Sequence, residues 1–195
     1  PERWPDLDWD ELFEHHACQK RIFDQHAPPS DHATFDEWRD ATQEYQAALI
    51  QLQVEDLRRL KYSPAGGFCH FCFADGHPSV TWSVLDHVRV PKCGYDALRD
   101  ACRPVLPMLD PRTGAVHVVS ELRAQLPAAE IEVLLDGRPR RFRGHVPADG
   151  LAYVGSVDAR GAKEVIVTFE HFETGTVVNR YPSRLFELQE GTAPV

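Results

Sequence analysis

The sequence predicts an α+β fold, and three observations carry that prediction. Apolar residues recur at helical spacing through the first sixty positions, cysteines, histidines and glycines crowd the middle, and short β-branched runs separated by turns fill the remainder. We expect an N-terminal helical hairpin over residues 1–62, a Cys/His-rich unit over 63–110, an antiparallel small β-barrel over 111–188 and a flexible tail over 189–195. With 195 residues, 43% of them hydrophobic, the chain is able to bury a real core.

Residues 6–26 read as a first helix, with Asp8 and Glu11 placed as a capping pair ahead of an apolar stripe at Trp9, Leu12, Phe13, Ile22 and Phe23. Ala27-Pro28-Pro29-Ser30 breaks it. Thr34 then stands three residues before Glu37, and Phe35, Trp38, Tyr45, Leu49 and Leu52 follow at helical spacing to about Leu60, which predicts a second, longer helix. Tyr95–Cys102 reads as a short helix stopped by Pro104. From Thr113 onward, runs such as Ile131–Leu135 and Arg141–Val146 flank an Asp136-Gly137 pair, which predicts a hairpin.

Charge is unevenly distributed. The formal net charge is −9, and residues 1–60 hold 14 acidic against 6 basic side chains. That excludes a general electrostatic grip on nucleic acid, because phosphate binding needs clustered Lys and Arg. Arg138, Arg140, Arg141 and Arg143 are the local exception, a basic hairpin able to touch phosphates. No run of 18 apolar residues predicts a membrane span, and no leader is recognised; the start at Pro1 suggests a processed or excised fragment. Five cysteines in a chain of this size point to a reducing compartment, so we expect a cytoplasmic protein, with the nucleus as the alternative.

Cys69 and Cys72 sit two residues apart on a glycine-bearing turn, Gly66-Gly67-Phe68-Cys69-His70-Phe71-Cys72, the spacing with which structural zinc sites supply half their ligands. His77, His87, Cys93 and Cys102 follow, and Cys93 precedes a short helix whose N-terminal dipole favours a thiolate. The expected set is Cys69, Cys72, His87 and Cys93 around one Zn2+; three sulfurs and one imidazole close the coordination shell, so the site would be structural.

Over about 35 residues the stretch resembles the first half of a Nanos-type zinc finger: the Cys69/Cys72 pair, the turn Ala74-Asp75-Gly76-His77-Pro78, Trp82, His87, and Cys93 followed by Leu98-Arg99. The resemblance implies the same four ligands, with RNA and proteins as partners. Only Cys102 follows Cys93, so a second zinc site cannot be built. The order of strands from Tyr153 to Pro182 looks like a Tudor-like small barrel, with Phe142, Tyr153, Phe169, Phe172 and Tyr181 as a possible aromatic surface for a methylated side chain or a base.

The chain lacks a phosphate-binding Gly-rich loop with Lys, a His-Glu-x-x-His helix and a Gly-x-Ser-x-Gly elbow, so no enzyme is expected. The expected function is a zinc-stabilised binding or scaffolding module of an intracellular assembly, engaging RNA or a ribonucleoprotein. The alternatives are a protein-interaction module that docks a partner or forms a homodimer through helices or barrel, and a hydrolase built on His117, His145 and His171.

Overall fold

A computed structural model describes residues 3–16 and 19–190. Two compact units make up the chain, one spanning Pro1–Gln51 and Cys69–Arg99, the other Leu52–Phe68 and Asp100–Val195.

In the first unit the helix expected over 6–26 is two, α1 (Trp9–His15) and α2 (Lys20–His26), with Ala17 and Cys18 outside the described residues. The Asp8 cap is real: its side chain accepts from the Glu11 N–H at 3.0 Å. The long helix α3 (Phe35–Arg59) starts on a reciprocal cap, where the Glu37 N–H donates to Thr34 Oγ1 at 3.2 Å and the Ala33 N–H donates to Glu37 Oε2 at 2.8 Å. Trp38, on its first turns, is buried, donates its indole N–H to Ala27 O at 2.9 Å, and meets the rings of Trp4, Trp9, Phe23 and Phe35 with centroids 5.2–5.9 Å away. Trp38 is therefore the buried centre of the aromatic stripe, with the other rings half-buried around it.

The seven strands described in the second unit all pair antiparallel. Strands β1 (Val105–Leu109), β2 (Ala115–Ser120) and β5 (Leu151–Ser156) form one sheet in the order β1-β2-β5; β3 (Leu126–Leu135), β4 (Arg138–Val146), β6 (Glu164–His171) and β7 (Gly175–Pro182) form another in the order β4-β3-β6-β7. The expected barrel does not close. The chain leaves one sheet after β4 to add β5 beside β2, so no described strand pairing links the sheets into a ring. β1 contacts β6 and β7, and β2 contacts β4, so two facing sheets enclose the core, and Leu106, Met108 and Val119 pack there with Leu151 and Val177. Helix α4 (Cys93–Ala101) precedes β1, and α5 (Ser183–Glu190) follows β7, so the expected tail is helical as far as Glu190 and the rest lies outside the described residues.

Asp136 and Gly137 both take positive φ, 45° and 82°, which is the hairpin turn that the Asp-Gly pair predicts. Asp136 Oδ1 also accepts from the N–H groups of Lys163 and Glu164, at 2.9 and 3.0 Å, tying this turn to the start of β6. Gly114 has no substitute: its φ is +72°, and a Cβ there would lie 1.9 Å from Val157 O.

The last turns of α3 enter the core of the sandwich unit with charge, not only with Leu52 and Val54. Glu55 is buried, and so are Asn179 and Tyr181 of β7. The Tyr181 hydroxyl donates to Glu55 Oε2 at 2.5 Å and accepts from Leu109 N and Asn179 Nδ2, both at 2.8 Å; Asn179 Nδ2 also reaches Glu55 Oε1 and Pro107 O, each at 2.9 Å. A buried polar group costs free energy unless paired, and here each partner satisfies the others. Burial, and then the neighbouring Glu55, push the Tyr181 phenol well above its ordinary value.

Tyr181→Phe leaves Leu109 N without its hydrogen bond and takes one bond each from Asn179 and the buried Glu55, so we expect a loss of about 3 kcal/mol in urea unfolding. The phenol stays protonated in the folded state, so its contribution is complete below an ordinary phenol pKa of about 10 and is lost as pH rises beyond it. The wild type should therefore destabilise above that pH more steeply than Tyr181→Phe; parallel curves would disprove the assignment.

Candidate functional site

Within the first unit, the segment 69–92 has almost no regular secondary structure and is held by one buried ion pair. Val84 N and Leu85 N donate to Phe73 O at 3.2 and 3.1 Å, Asp75 N donates to Leu85 O at 3.0 Å, and Lys92 N donates to Val84 O at 2.9 Å, laying three short stretches side by side. Asp86 closes the intervening loop by accepting from Val88 N at 2.9 Å and Val90 N at 2.8 Å.

At the centre Lys92 Nζ donates to Asp75 Oδ2 at 3.0 Å and to Ser83 Oγ at 2.7 Å, while the Thr81 hydroxyl donates to the other Asp75 oxygen. Arg89 reaches the Asp75 carbonyl at 3.0 Å. Burial raises the Asp75 pKa, but the hydrogen bonds from Thr81, Ser83 and Lys92 and the Lys92 charge outweigh it and hold the carboxyl below the usual carboxylate range. Asp75 is thus a fixed anion, not a proton donor at neutral pH. Outside this pair the segment turns large apolar side chains to solvent: Phe71 is 73% exposed, and Phe73, Trp82, Val88 and Val90 are exposed as well. The Phe71 and Trp82 rings lie 6.1 Å apart, and Phe73 meets Tyr95 at 6.2 Å. The segment thus presents an uncovered aromatic face to solvent.

The expected zinc ligands are placed differently from one another. Cys69, Cys72 and Cys93 are free and exposed, and His87 lies in the Asp86 loop. Among the described residues no three His, Cys, Asp or Glu side chains gather as a metal-binding group. Cys93 does open α4, but burial, then Glu44, push its thiol up, with Asp40 and Asp96 adding to this against the helix N–H, so the helix end does not produce the low-pKa thiolate its position suggests. Zinc content of protein purified without added metal is the direct test of the zinc expectation: one equivalent supports it, and a metal-free fold indifferent to chelator ends it.

The basic hairpin is β4. Register places Arg141 opposite Glu132 and Arg143 opposite Glu130, and both pairs close at 2.7 Å, so two of the four arginines are occupied by carboxylates on the neighbouring strand; Arg138 and Arg140 are exposed on the same strand. The five aromatic residues do not form one surface. Phe169 and Tyr181 are buried in the core and Phe142 packs beneath Gly155, whereas Tyr153 is exposed beside His117 and Phe172 is exposed beside His171. His117, His145 and His171 lie on β2, β4 and β6, in two different sheets. His171 Nε2 is bonded to Pro127 O at 3.1 Å.

No family model matches the chain, and no curated protein matches it. Solved structures do share its fold. The exo-chitosanase CsxA of Amycolatopsis orientalis is 18% identical with a TM-score of 0.70, covering 83% of this chain and 21% of that one. The same enzyme in a variant complex with PNP-β-D-glucosamine is 17% identical at a TM-score of 0.65, covering 77% of this chain and 20% of that one. A β-D-mannosidase from Dictyoglomus thermophilum is 20% identical at 0.68, covering 80% of this chain and 20% of that one. This chain therefore spans about a fifth of the length of these proteins. At such identity the likeness shows the fold.

These neighbours correct the function expected from sequence. The zinc-finger module engaging RNA is replaced by a fold found within enzymes named for sugar substrates, and the expectation of a non-enzyme shifts in the same direction. The Cys-x-x-Cys spacing carried the expected function, and the aromatic residues that flank it, Phe71 and Phe73, are exposed. Sequence reasoning also missed Asp75 and Lys92. An acid and a base seventeen residues apart on either side of an apolar run was the available signal.

Lys92→Met leaves the Asp75 carboxylate buried without its counter-charge and should cost about 3 kcal/mol. Asp75 has a lowered folded-state pKa, so its contribution is present above the ordinary carboxylate value near 4 and is lost as pH falls through the lowered one. The stability gap between wild type and Asp75→Asn, measured by thermal unfolding, should narrow on acidification; a gap that widens contradicts the role.

Proposed function

We propose that this chain is part of a carbohydrate-active enzyme, a glycosidase acting on β-linked sugars, in which the β-sandwich is a structural module. The observation that carries the reading is the fold likeness over 77–83% of the chain to an exo-chitosanase and a β-D-mannosidase. The chain's own chemistry supports a non-catalytic role for the sandwich. Glycoside hydrolysis ordinarily takes two facing carboxyl groups, one held protonated near neutral pH. The sandwich carboxylates described above serve structure instead: Glu130 and Glu132 are paired with arginines of β4, and Glu55 lies inside the core; in the first unit Asp75 is locked to Lys92.

The uncovered face at Phe71, Phe73 and Trp82 supports the same reading. Exposed aromatic patches of this kind are costly on a free-standing protein and are ordinarily covered by a partner surface. Under the proposal the rest of the enzyme covers it.

The test is hydrolysis of p-nitrophenyl β-D-glucosaminide and β-D-mannoside, by this chain and by the protein that carries it. The carrier protein should release p-nitrophenol from at least one of them and the isolated chain from neither. Release by the chain alone would move catalysis into it and overturn the structural role. No release by the carrier, from these or other aryl β-glycosides, would overturn the carbohydrate reading.

A further inference from the structure

Beside the last turn of α3, the second unit holds a cavity of about 460 Å3 that borders the core at Val119 and lies outside the Asp75 loop. Its polar walls are Arg58, Lys61, Tyr62, Glu121 and Asp149, and Leu57, Phe68 and Val119 add an apolar side. Four features mark it as a built site and not a packing defect. First, the Tyr62 ring is 64% exposed yet fixed: its hydroxyl donates to Asp149 Oδ2 at 2.9 Å. Second, that residue has φ +59°, a left-handed backbone that a bulky side chain seldom adopts, held by Tyr62 N donating to Ala65 O and by Ser63 N and Ala65 N donating to Leu60 O. Third, charges converge in opposite pairs, Lys61 with Asp149 at 2.8 Å and Arg58 with Glu121 at 3.0 Å. Fourth, a Cβ built on Gly66 or Gly67 meets no atom within 4 Å, so one wall is bare backbone facing open space.

The chemistry of these walls selects the ligand. Both cations already have carboxylate partners, so the cavity has no surplus charge to attract a phosphate or another anion. It offers instead alternating donors and acceptors, guanidinium and ammonium N–H groups beside carboxylate oxygens with unused lone pairs, next to an aromatic plane. Hydroxyl groups that both give and accept hydrogen bonds, on a ring with an apolar C–H face, match that pattern. Lys61 Nζ stands 5.1 Å from the Tyr62 ring centre, on one face, leaving the other for stacking. We propose that this cavity binds a pyranose unit of a saccharide, stacked on Tyr62 and hydrogen-bonded to the Arg58–Glu121 and Lys61–Asp149 pairs. The inference rests on the carbohydrate reading above and adds to it a binding site away from the Asp75 loop.

A contact with a single pyranose ring of this kind binds weakly, with Kd on the order of 1 mM. The experiment titrates the 195-residue chain with β-1,4-linked tetrasaccharides of mannose, glucosamine and glucose, followed by NMR chemical shifts. At least one should bind saturably. Tyr62→Ala should weaken that binding at least tenfold, while Tyr62→Phe keeps the ring and should lose less. Gly66→Leu provides a second arm if Tyr62→Ala does not fold: its backbone is outside the left-handed region and its side chain enters empty space, so the fold should survive and the sugar be excluded. Absence of binding by all three sugars at 10-fold the expected Kd, or binding undiminished in Gly66→Leu and in whichever Tyr62 variants fold, overturns the proposal. Because the carrier protein's hydrolysis of aryl glycosides is measured separately, such a failure leaves the enzyme reading standing, whereas loss of hydrolysis alone leaves this site standing.

Discussion

The buried group of Glu55, Asn179 and Tyr181 is the constraint on which the sandwich unit depends. A helix residue and a strand residue 126 positions apart meet through one hydroxyl, which gives to the carboxyl and receives from the backbone N–H of Leu109 on β1. Hydrophobic burial is non-directional and tolerates many alignments of a helix on a sheet. A satisfied polar knot in a dry core tolerates one, because any other alignment leaves several groups unpaired at once. The end of α3, β1 and β7 are thereby set in register with one another, and Arg58 adds a bond of 2.6 Å to Ala101 O from the next residues of the helix.

Two further devices work on the same principle in different surroundings. In the Asp75 loop an ion pair adds to the few backbone hydrogen bonds that hold a segment with so little regular secondary structure. Around Tyr62 a carboxylate shared by a phenol and an ammonium group fixes an exposed ring. At Asp75 a charge that costs free energy to desolvate is held by its partners, whereas the Asp149 carboxylate keeps much of its exposure to solvent.

Much of the secondary structure was legible. The caps at Asp8 and at Thr34/Glu37 were visible because capping is local chemistry, set by a side chain three residues from its partner. The Asp136-Gly137 turn was visible for the same reason. The split of the first helix and the opening of the barrel into two sheets were not, because alternation along a strand states which face is buried and nothing about which strand lies beside it. The site was less legible still. Cys69 and Cys72 drew attention as a metal motif, yet the functional reading comes from a fold likeness and from pairs such as Lys61 with Asp149, which lie 88 residues apart and carry no shared signal in the sequence.

By itself, then, the sequence determined that the chain is α+β, that a long amphipathic helix precedes a run of antiparallel strands, and where caps and turns fall, since each depends on residues within a few positions of one another. Tertiary structure alone decided that the strands make two open sheets, that Glu55 enters the core, that the aromatic residues beside the cysteines face solvent, and that a walled cavity opens at Tyr62. Those outcomes depend on which distant groups can satisfy one another's hydrogen bonds and charges once water is excluded, and that is a property of the assembled core.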